Sequence, residues 1–427
     1  MSEDCFDVII VGAGPAGSTA AYILACAGKE VLLIERGDEP GAKNMTGGRL
    51  YGHSLEKIIP GFAQEAPVER RIVKEMISFL TADTSVSLDI HSELFQGGGK
   101  ESYSVLRSEF DPWLAEKAEE AGANLVPGIR VDDLYMEADR VKGVIAGEDT
   151  MEAGVVILAD GVNSLLAQKI GLKQELKPHQ VAVGAKEIIE LPPQVIEDRF
   201  NINSGEGAAR LFVGDCTKGR IGGGFLYTNK NSISLGLVLT LSDLQGADQT
   251  VPDMVEDFKQ HPAIKPLIKG GKTAEYSAHL VPEAGYSMMP KLYHDGVVVV
   301  GDAAGFVINT GYMVRGMDLA IASGEAAANA IINADGVYSA DALAKYQQLL
   351  EESFVMRDLK QYGNFPEFME NSRIFNEYPK LMEELMVDLF TIDGKPVPSM
   401  MKRILTPVKK IGLMKVAGDA WKGVKAL

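Results

Sequence analysis

A chain of 427 residues, 46% hydrophobic and 24% charged, is globular and has core enough for two or three domains. Its net charge of −17 excludes a general nucleic-acid binder, which needs a basic footprint. Cys5, Cys26 and Cys216 are too few for a four-cysteine iron–sulfur or zinc site within the chain, and so sparse a set fits a reducing cytosol.

The elements follow in order. Residues 8–11 form a β-branched run that enters Gly12-Ala13-Gly14-Pro15-Ala16-Gly17, and a small-residue helix is predicted over Ser18 to Ala27. The acidic N-terminus enters this strand almost at once, so no signal peptide is expected. A second apolar run, Val31 to Ile34, ends in Glu35. Gly12 permits the tight turn, Gly14 lets a pyrophosphate approach the backbone, and Gly17 lets helix and strand pack closely. The helix N-terminus offers free N–H groups and a positive dipole end. Glu35 stands where a carboxylate accepts hydrogen bonds from a ribose. The pattern therefore predicts a dinucleotide site.

A glycine-rich loop spans Gly41 to Tyr51, and alternation over residues 72 to 94 predicts strands. A helix is expected from an N-cap at Ser108 through Ala121, with Gly122 as its stop. Short strands are expected near 124–131 and 141–146, then Gly154 to Ala159, ending at Asp160-Gly161. Several β-like runs between 176 and 275 predict an inserted, mainly antiparallel sheet, with a helical stretch over 250–269. A buried-strand run then leads into Gly301-Asp302-Ala303-Ala304-Gly305, and an alanine-rich helix is expected from Met317 to Ile332. Residues 341–390 read as helices. No run approaches the roughly 18 apolar residues of a membrane span. The six histidines are scattered, with no metal-ligand spacing among them. The tail, 401–427, carries seven Lys and Arg against one acid, Asp419, a net +6. Its apolar residues, from Ile404 to Val424, recur at steps of three or four, as on one helix face, although Gly412, Gly418 and Gly423 weaken a free helix.

Three separated segments converge on one ligand: Gly12–Gly17 with Glu35, Asp160-Gly161, and Gly301-Asp302. Each Asp-containing segment ends a strand, where an open α/β sheet exposes its crevice. A simple NAD enzyme has no use for a second Gly-Asp loop so far downstream. FAD does, because its ribityl chain and isoalloxazine must be held along their length, and Asp302 can accept hydrogen bonds from the ribityl hydroxyls. Asp160-Gly161 can also be a mere turn, and Gly222-Gly223-Gly224 a strand bend.

In motif order over residues 6–335 the chain resembles the FAD-dependent family of aromatic hydroxylases, geranylgeranyl reductases and electron-transfer-flavoprotein:quinone oxidoreductases. The segments 43–51, 222–227, 315–320 and 390–394 and the Lys-rich tail are similar to its FixC branch. The resemblance implies an α/β fold. A discontinuous Rossmann-like FAD-binding domain would take residues 1–75, 100–175 and 276–340. A mainly antiparallel β domain on the substrate or quinone side would take 76–99 and 176–275. A helical C-terminal region with a basic tail would take 341–427.

By matching position, Gly12, Gly14, Ala16 and Gly17 would hold the pyrophosphate, and Glu35 and Arg36 the adenosine ribose. Arg107 would lie near the phosphates or ribityl chain, and Val131 would offer its backbone to adenine. Asp302 would bind the ribityl chain, and Arg49, Asp160, Gly161 and Gly301 would be further cofactor-binding residues. Gly47, Gly48, Gly311 and Gly316 would line the isoalloxazine, with the helix after Gly316 aimed at the N1/O2 edge.

The resemblance further implies electron transfer from the alpha and beta subunits of an electron transfer flavoprotein towards quinone. FixC-type systems do this within a complex that can bifurcate electrons from NADH. The four cluster cysteines of larger relatives are absent, so a separate ferredoxin-like iron–sulfur protein would supply the cluster. The basic tail would touch the inner face of the cell membrane or a partner, on an otherwise cytoplasmic protein. The loop Phe306–Gly311 lacks the hydroxylase proline pair, which argues against oxygen activation, and the halogenase WxWxIP pattern is absent. Two other readings stay open: a reductase or hydroxylase acting directly on a small or isoprenoid substrate, and an FAD-loaded assembly subunit without turnover.

Overall fold

The strand Cys5–Val11 is apolar on both faces because it is covered on both: Val8, Ile9 and Ile10 have no exposed surface. A computed structural model describes residues 5–42, 48–283 and 285–426. Cys5–Val11 pairs in parallel with Val31–Ile34 on one side and Asp149–Leu158 on the other. Asn124–Val126 and Val297–Val299 extend the parallel sheet outwards. Tyr293–His294 closes one edge antiparallel, and the hairpin of Asp133–Glu137 and Arg140–Ala146 folds back on Asp149–Leu158.

The helix Pro15–Cys26 begins three residues before the expected Ser18, since proline is pre-set for the first helical turn and needs no N–H partner there. It packs between Arg107–Glu120 and Met317–Ala334. The crossing with Met317–Ala334 is close: a β-carbon at Gly324 would lie 2.3 Å from Ala16 O. Ser108 does not cap its helix. The helix starts one residue earlier, at Arg107, whose side chain closes the first turn on Asp111.

A second sheet has nine strands. Its order is Lys272–Pro282, Val181–Glu190, Ser232–Thr240, Gly222–Thr228, Glu206–Gly214, Val68–Leu80, Ser102–Val105 and Gly48–Tyr51, with Ser85–His91 beside Val68–Leu80. All pairings are antiparallel except that of Glu206–Gly214 with Val68–Leu80. A domain boundary at 75/76 falls inside the strand Val68–Leu80. The strand is long enough to pair Ser102–Val105 near its start and Ser85–His91 along its second half, so 48–51 and 102–105 join the β domain's sheet. Helices Pro193–Phe200 and Val251–Gln260 cover its core around Phe212, Leu235, Leu237 and Phe258. The expected helical stretch 250–269 breaks at His261-Pro262 into Val251–Gln260 and Lys265–Ile268.

Six helices follow from Ala340 to Ala426. The tail folds as two, Met400–Ile411 and Leu413–Ala426, because Gly412 takes φ +108° between them. Among the described residues no helix is long and apolar enough to cross a membrane.

Candidate functional site

A cavity of about 1460 Å³ runs between the parallel sheet and the nine-stranded sheet. It exceeds the roughly 300–1,000 Å³ of ordinary small-molecule pockets. Its first wall is the glycine turn. Gly12 takes φ +105°, and a β-carbon there would lie 2.4 Å from Ala159 O, so only glycine fits. Gly14 and Ala16 line the cavity, and a β-carbon at Gly14 would meet the Arg107 guanidinium at 3.7 Å, an ordinary contact. Gly17 does not line it: a β-carbon there would meet Gly12 O at 2.0 Å, so this glycine serves the packing of helix on turn.

Glu35 ends its strand with both carboxylate oxygens engaged. Oε2 accepts from Ala13 N (3.0 Å) and Oε1 from Gly37 N (2.6 Å). Its backbone oxygen accepts from Ile129 N (3.0 Å), which brings Ile129 and Val131 to the cavity alongside Arg36. Residues 129–131 are an irregular segment here, the strand ending at Val126. Arg107 grips Asp111 with two bonds of 2.6 Å. Burial alone would lower the Arg107 pKa, but Asp111, Asp302 and Glu35 hold it above its usual value.

The two Asp loops meet at a lysine that sequence reasoning missed. Lys173 is buried and donates to Val162 O (2.7 Å) and Ala303 O (3.0 Å), tying the Asp160 loop to the Asp302 loop. Burial lowers its pKa to about 8, against the pull of Asp160 and Asp302. Burial likewise raises Asp160 to about 6, opposed by the Ser164 hydroxyl at 2.9 Å and by Lys173. Asp302 is raised by burial and held back by Arg107, His279 and Lys173. Asp160, Gly161, Gly301 and Asp302 all border the cavity. No spacing marks Lys173; it joins the site only when the chain closes on itself.

The far wall belongs to the second sheet and the loop before Met317–Ala334. Gly48, Arg49, Gly311 and Gly316 line it, while Gly47 lies outside the described residues. Arg49 is held by Glu75 and Ser102 and lies over the Tyr51 ring at 4.5 Å. The helix Met317–Ala334 presents its N-terminus here. The Gly222-Gly223-Gly224 run also borders the cavity, and β-carbons there would meet Val238 O, Phe212 O and Phe258 at 2.1, 2.7 and 3.0 Å. Both the bend and the site need these glycines. His279, Val281 and Pro282 of the strand Lys272–Pro282 reach the cavity, as does Glu283 just beyond it. On the surface, ligand atoms of His91, Glu93 and Glu206 lie within 4.8 Å of one another; none of the three lines the cavity.

The donor set fits FAD. A glycine turn bordering the cavity at a helix N-terminus suits a pyrophosphate, and a half-buried Asp302 bordering the cavity suits polyol hydroxyls. The fold and site define an FAD-dependent oxidoreductase. An "FAD binding domain" description matches residues 5–203, and "FAD dependent oxidoreductase" matches 105–330. A geranylgeranyl bacteriochlorophyll reductase-like structure from Thermoplasma acidophilum superposes with TM-score 0.72 at 21% identity, covering 97% of this chain and 99% of that one. The myxobacterial chondrochloren halogenase CndH gives 0.64 at 19% identity, covering 87% and 83%.

The family is narrower than the fold. Residues 365–427 match the "ETF-QO/FixC family C-terminal domain". Over the full length of both chains, this one is 56% identical to the "Probable electron transfer flavoprotein-quinone oxidoreductase YdiS" and 55% identical to "Protein FixC", both of Escherichia coli K12. The chain belongs to the ETF-QO/FixC family.

Proposed function

We propose that this protein takes electrons from an electron transfer flavoprotein and passes them to a quinone. The observation that carries this reading is the two-sided character of this cavity. Its cofactor end is polar and charged, from Gly12 to Asp302. Its other end is mainly apolar, lined by Ile77, Phe79, Leu211, Val213, Val238, Phe365, Phe368 and Phe375, with Tyr227, Thr240 and Glu283 among them. An apolar chamber continuous with a flavin site suits a quinone. The full-length relative named for flavoprotein-quinone oxidoreduction supports the same reading.

Bound FAD supplies a centre that exchanges electrons one or two at a time. The chain binds and tunes it. Gly12 and Gly14 would admit the pyrophosphate, Glu35 and Arg36 would border the ribose, and Asp302 would accept hydrogen bonds from the ribityl hydroxyls. The helix end at Gly316 would favour negative charge on the isoalloxazine. The reading extends to a ferredoxin-like iron–sulfur partner and to contact of the basic tail with an anionic membrane surface. Co-purification from the native host with flavin and iron counting tests the assembly, and anaerobic mixing with reduced flavoprotein and a short-chain quinone tests the reaction. Flavoprotein-dependent quinol formation is the expected result. Rapid reduction by NAD(P)H alone, with none from the flavoprotein, would overturn it.

A further inference from the structure

Quinone reduction consumes protons, and the acids of the cofactor loops are engaged elsewhere. Glu35 holds two backbone N–H groups, and Asp160 and Asp302 feel Lys173 and Arg107. Glu283 is differently placed. It follows the strand Lys272–Pro282 and lines the cavity together with His279, Val281 and Pro282.

Glu283 is fixed from three sides. Its N–H donates to Gln180 O (2.9 Å), and its Oε2 accepts from Thr240 Oγ1 (2.7 Å). The following turn, Gly285–Met288, packs on Gly305 and Val307, in the loop that leads to Gly311. Thr240 adjoins Leu239, the register partner of Gly222, so the carboxyl stands near the glycine run. The loop to Gly311 borders the position assigned to the isoalloxazine, and Val238, the register partner of Gly223, belongs to the quinone wall.

On the surrounding elements His179, Asp243 and Arg220 are ionisable, and His279 and Tyr227 line the same cavity. His179 is exposed at the cavity rim, one residue from Gln180. Asp243 accepts from Ile221 N (2.6 Å), and Arg220 Nη1 donates to Asp243 O (2.6 Å), so these two serve each other's turn. Among the described contacts the carboxyl's side-chain partner is Thr240. Burial raises the Glu283 pKa, with the Thr240 bond opposing. A carboxyl so placed keeps its proton further into the neutral range than an exposed one.

We propose that Glu283 is the proton donor to the quinone, positioned by Thr240; this rests on the quinone reading above. One quinone carbonyl oxygen takes the Glu283 proton as its C=O bond becomes C–O. Two electrons originating in the flavoprotein complete the reduction. The second carbonyl oxygen takes its proton from water at the open rim, and the Glu283 carboxylate regains one from solvent on the His179 side. Quinone, two electrons and two protons give quinol.

The test compares wild-type holoenzyme with Glu283→Gln, Glu283→Asp, Thr240→Val and Tyr227→Phe. Tyr227 is the rival donor, a buried phenol that also lines the cavity. Glu283→Gln should lower kcat for a short-chain quinone about 100-fold, within the range of general-acid contributions. Quinone Kd and FAD content should hold, and Glu283→Asp should restore part of the rate. The wild-type rate should fall as pH rises through the Glu283 pKa, and the residual Glu283→Gln rate should be flat. Thr240→Val should move that limb to higher pH, because it removes a bond to the carboxylate form. Infrared spectra of the resting protein provide a readout without turnover: a carboxylic-acid band lost on raising pH in wild type and absent from Glu283→Gln. If wild type reduces quinone and Glu283→Gln keeps its rate and pH profile, or Tyr227→Phe alone shows the loss, the proton assignment is overturned and the quinone reading stands. If wild type accepts flavoprotein electrons but reduces no quinone, both fall.

Discussion

Gly12 and Lys173 show two ways a single residue can build this site. Gly12 is demanded locally, by φ +105° and by Ala159 O at 2.4 Å from an added β-carbon. Gly12→Ala should cost about 2 kcal/mol of stability, in the range of strained backbone positions, and should abolish FAD retention. Thermal melts of the apoprotein and the flavin-to-protein ratio check both. Lys173 is demanded only by the closed fold, since it bridges carbonyls at 162 and 303. The glycine turn and Asp302 were therefore legible in sequence, whereas Lys173, His279 and Glu283 became site residues through long-range closure. Asp160 carries a pH signature. Its folded pKa, about 6, is raised, so the folded state takes the proton first and gains stability from it as pH falls through that value. Asp160→Asn removes this gain. Wild-type apoprotein should thus gain on Asp160→Asn between pH 7.5 and pH 4.5, measured by urea unfolding; an unchanged difference would contradict the assignment.

At the scale of elements, the tail departs most from its sequence pattern. Periodicity alone suggested one amphipathic face, but Gly412 divides it, and a β-carbon at Gly423 would lie 3.1 Å from the Phe368 ring, so glycine lets the second helix seat closely there. The pattern could not show that Asp419, the tail's one acid, faces inward. Arg373 grips it with two bonds of 2.6 Å, and the Tyr378 hydroxyl donates to it as well. These bonds hold the Asp419 carboxylate well below its usual range, so the clasp stabilises above the ordinary carboxylate pKa and weakens as pH falls. Asp419→Ala should loosen the helix Leu413–Ala426 by about 2 kcal/mol, the scale of hydrogen bonds to a charged group. Hydrogen exchange should rise across 413–426 while the parallel sheet stays protected. Because Phe368 also borders the cavity, the same variant should weaken quinone binding without loss of FAD.

For the whole molecule, charge is divided as sharply as the cavity. The tail carries a net +6 within a chain of −17, so the remainder is strongly acidic and is repelled by an anionic surface. The tail carries the positive net charge, and it exposes apolar side chains beside its lysines: Met414 is 91% and Trp421 62% exposed. Lysines attract anionic headgroups at about 1 kcal/mol each near the surface, and the apolar residues add burial. Apart from Phe368 and the Asp419 clasp, the tail lies outside the cofactor end of the cavity. Removing residues 400–427 should therefore spare FAD content while abolishing sedimentation with anionic liposomes. Full-length protein should bind those liposomes less as salt rises, because exposed charges are screened. Equal liposome binding by the truncated and full-length proteins would refute the tail's membrane role and leave the cavity's chemistry untouched.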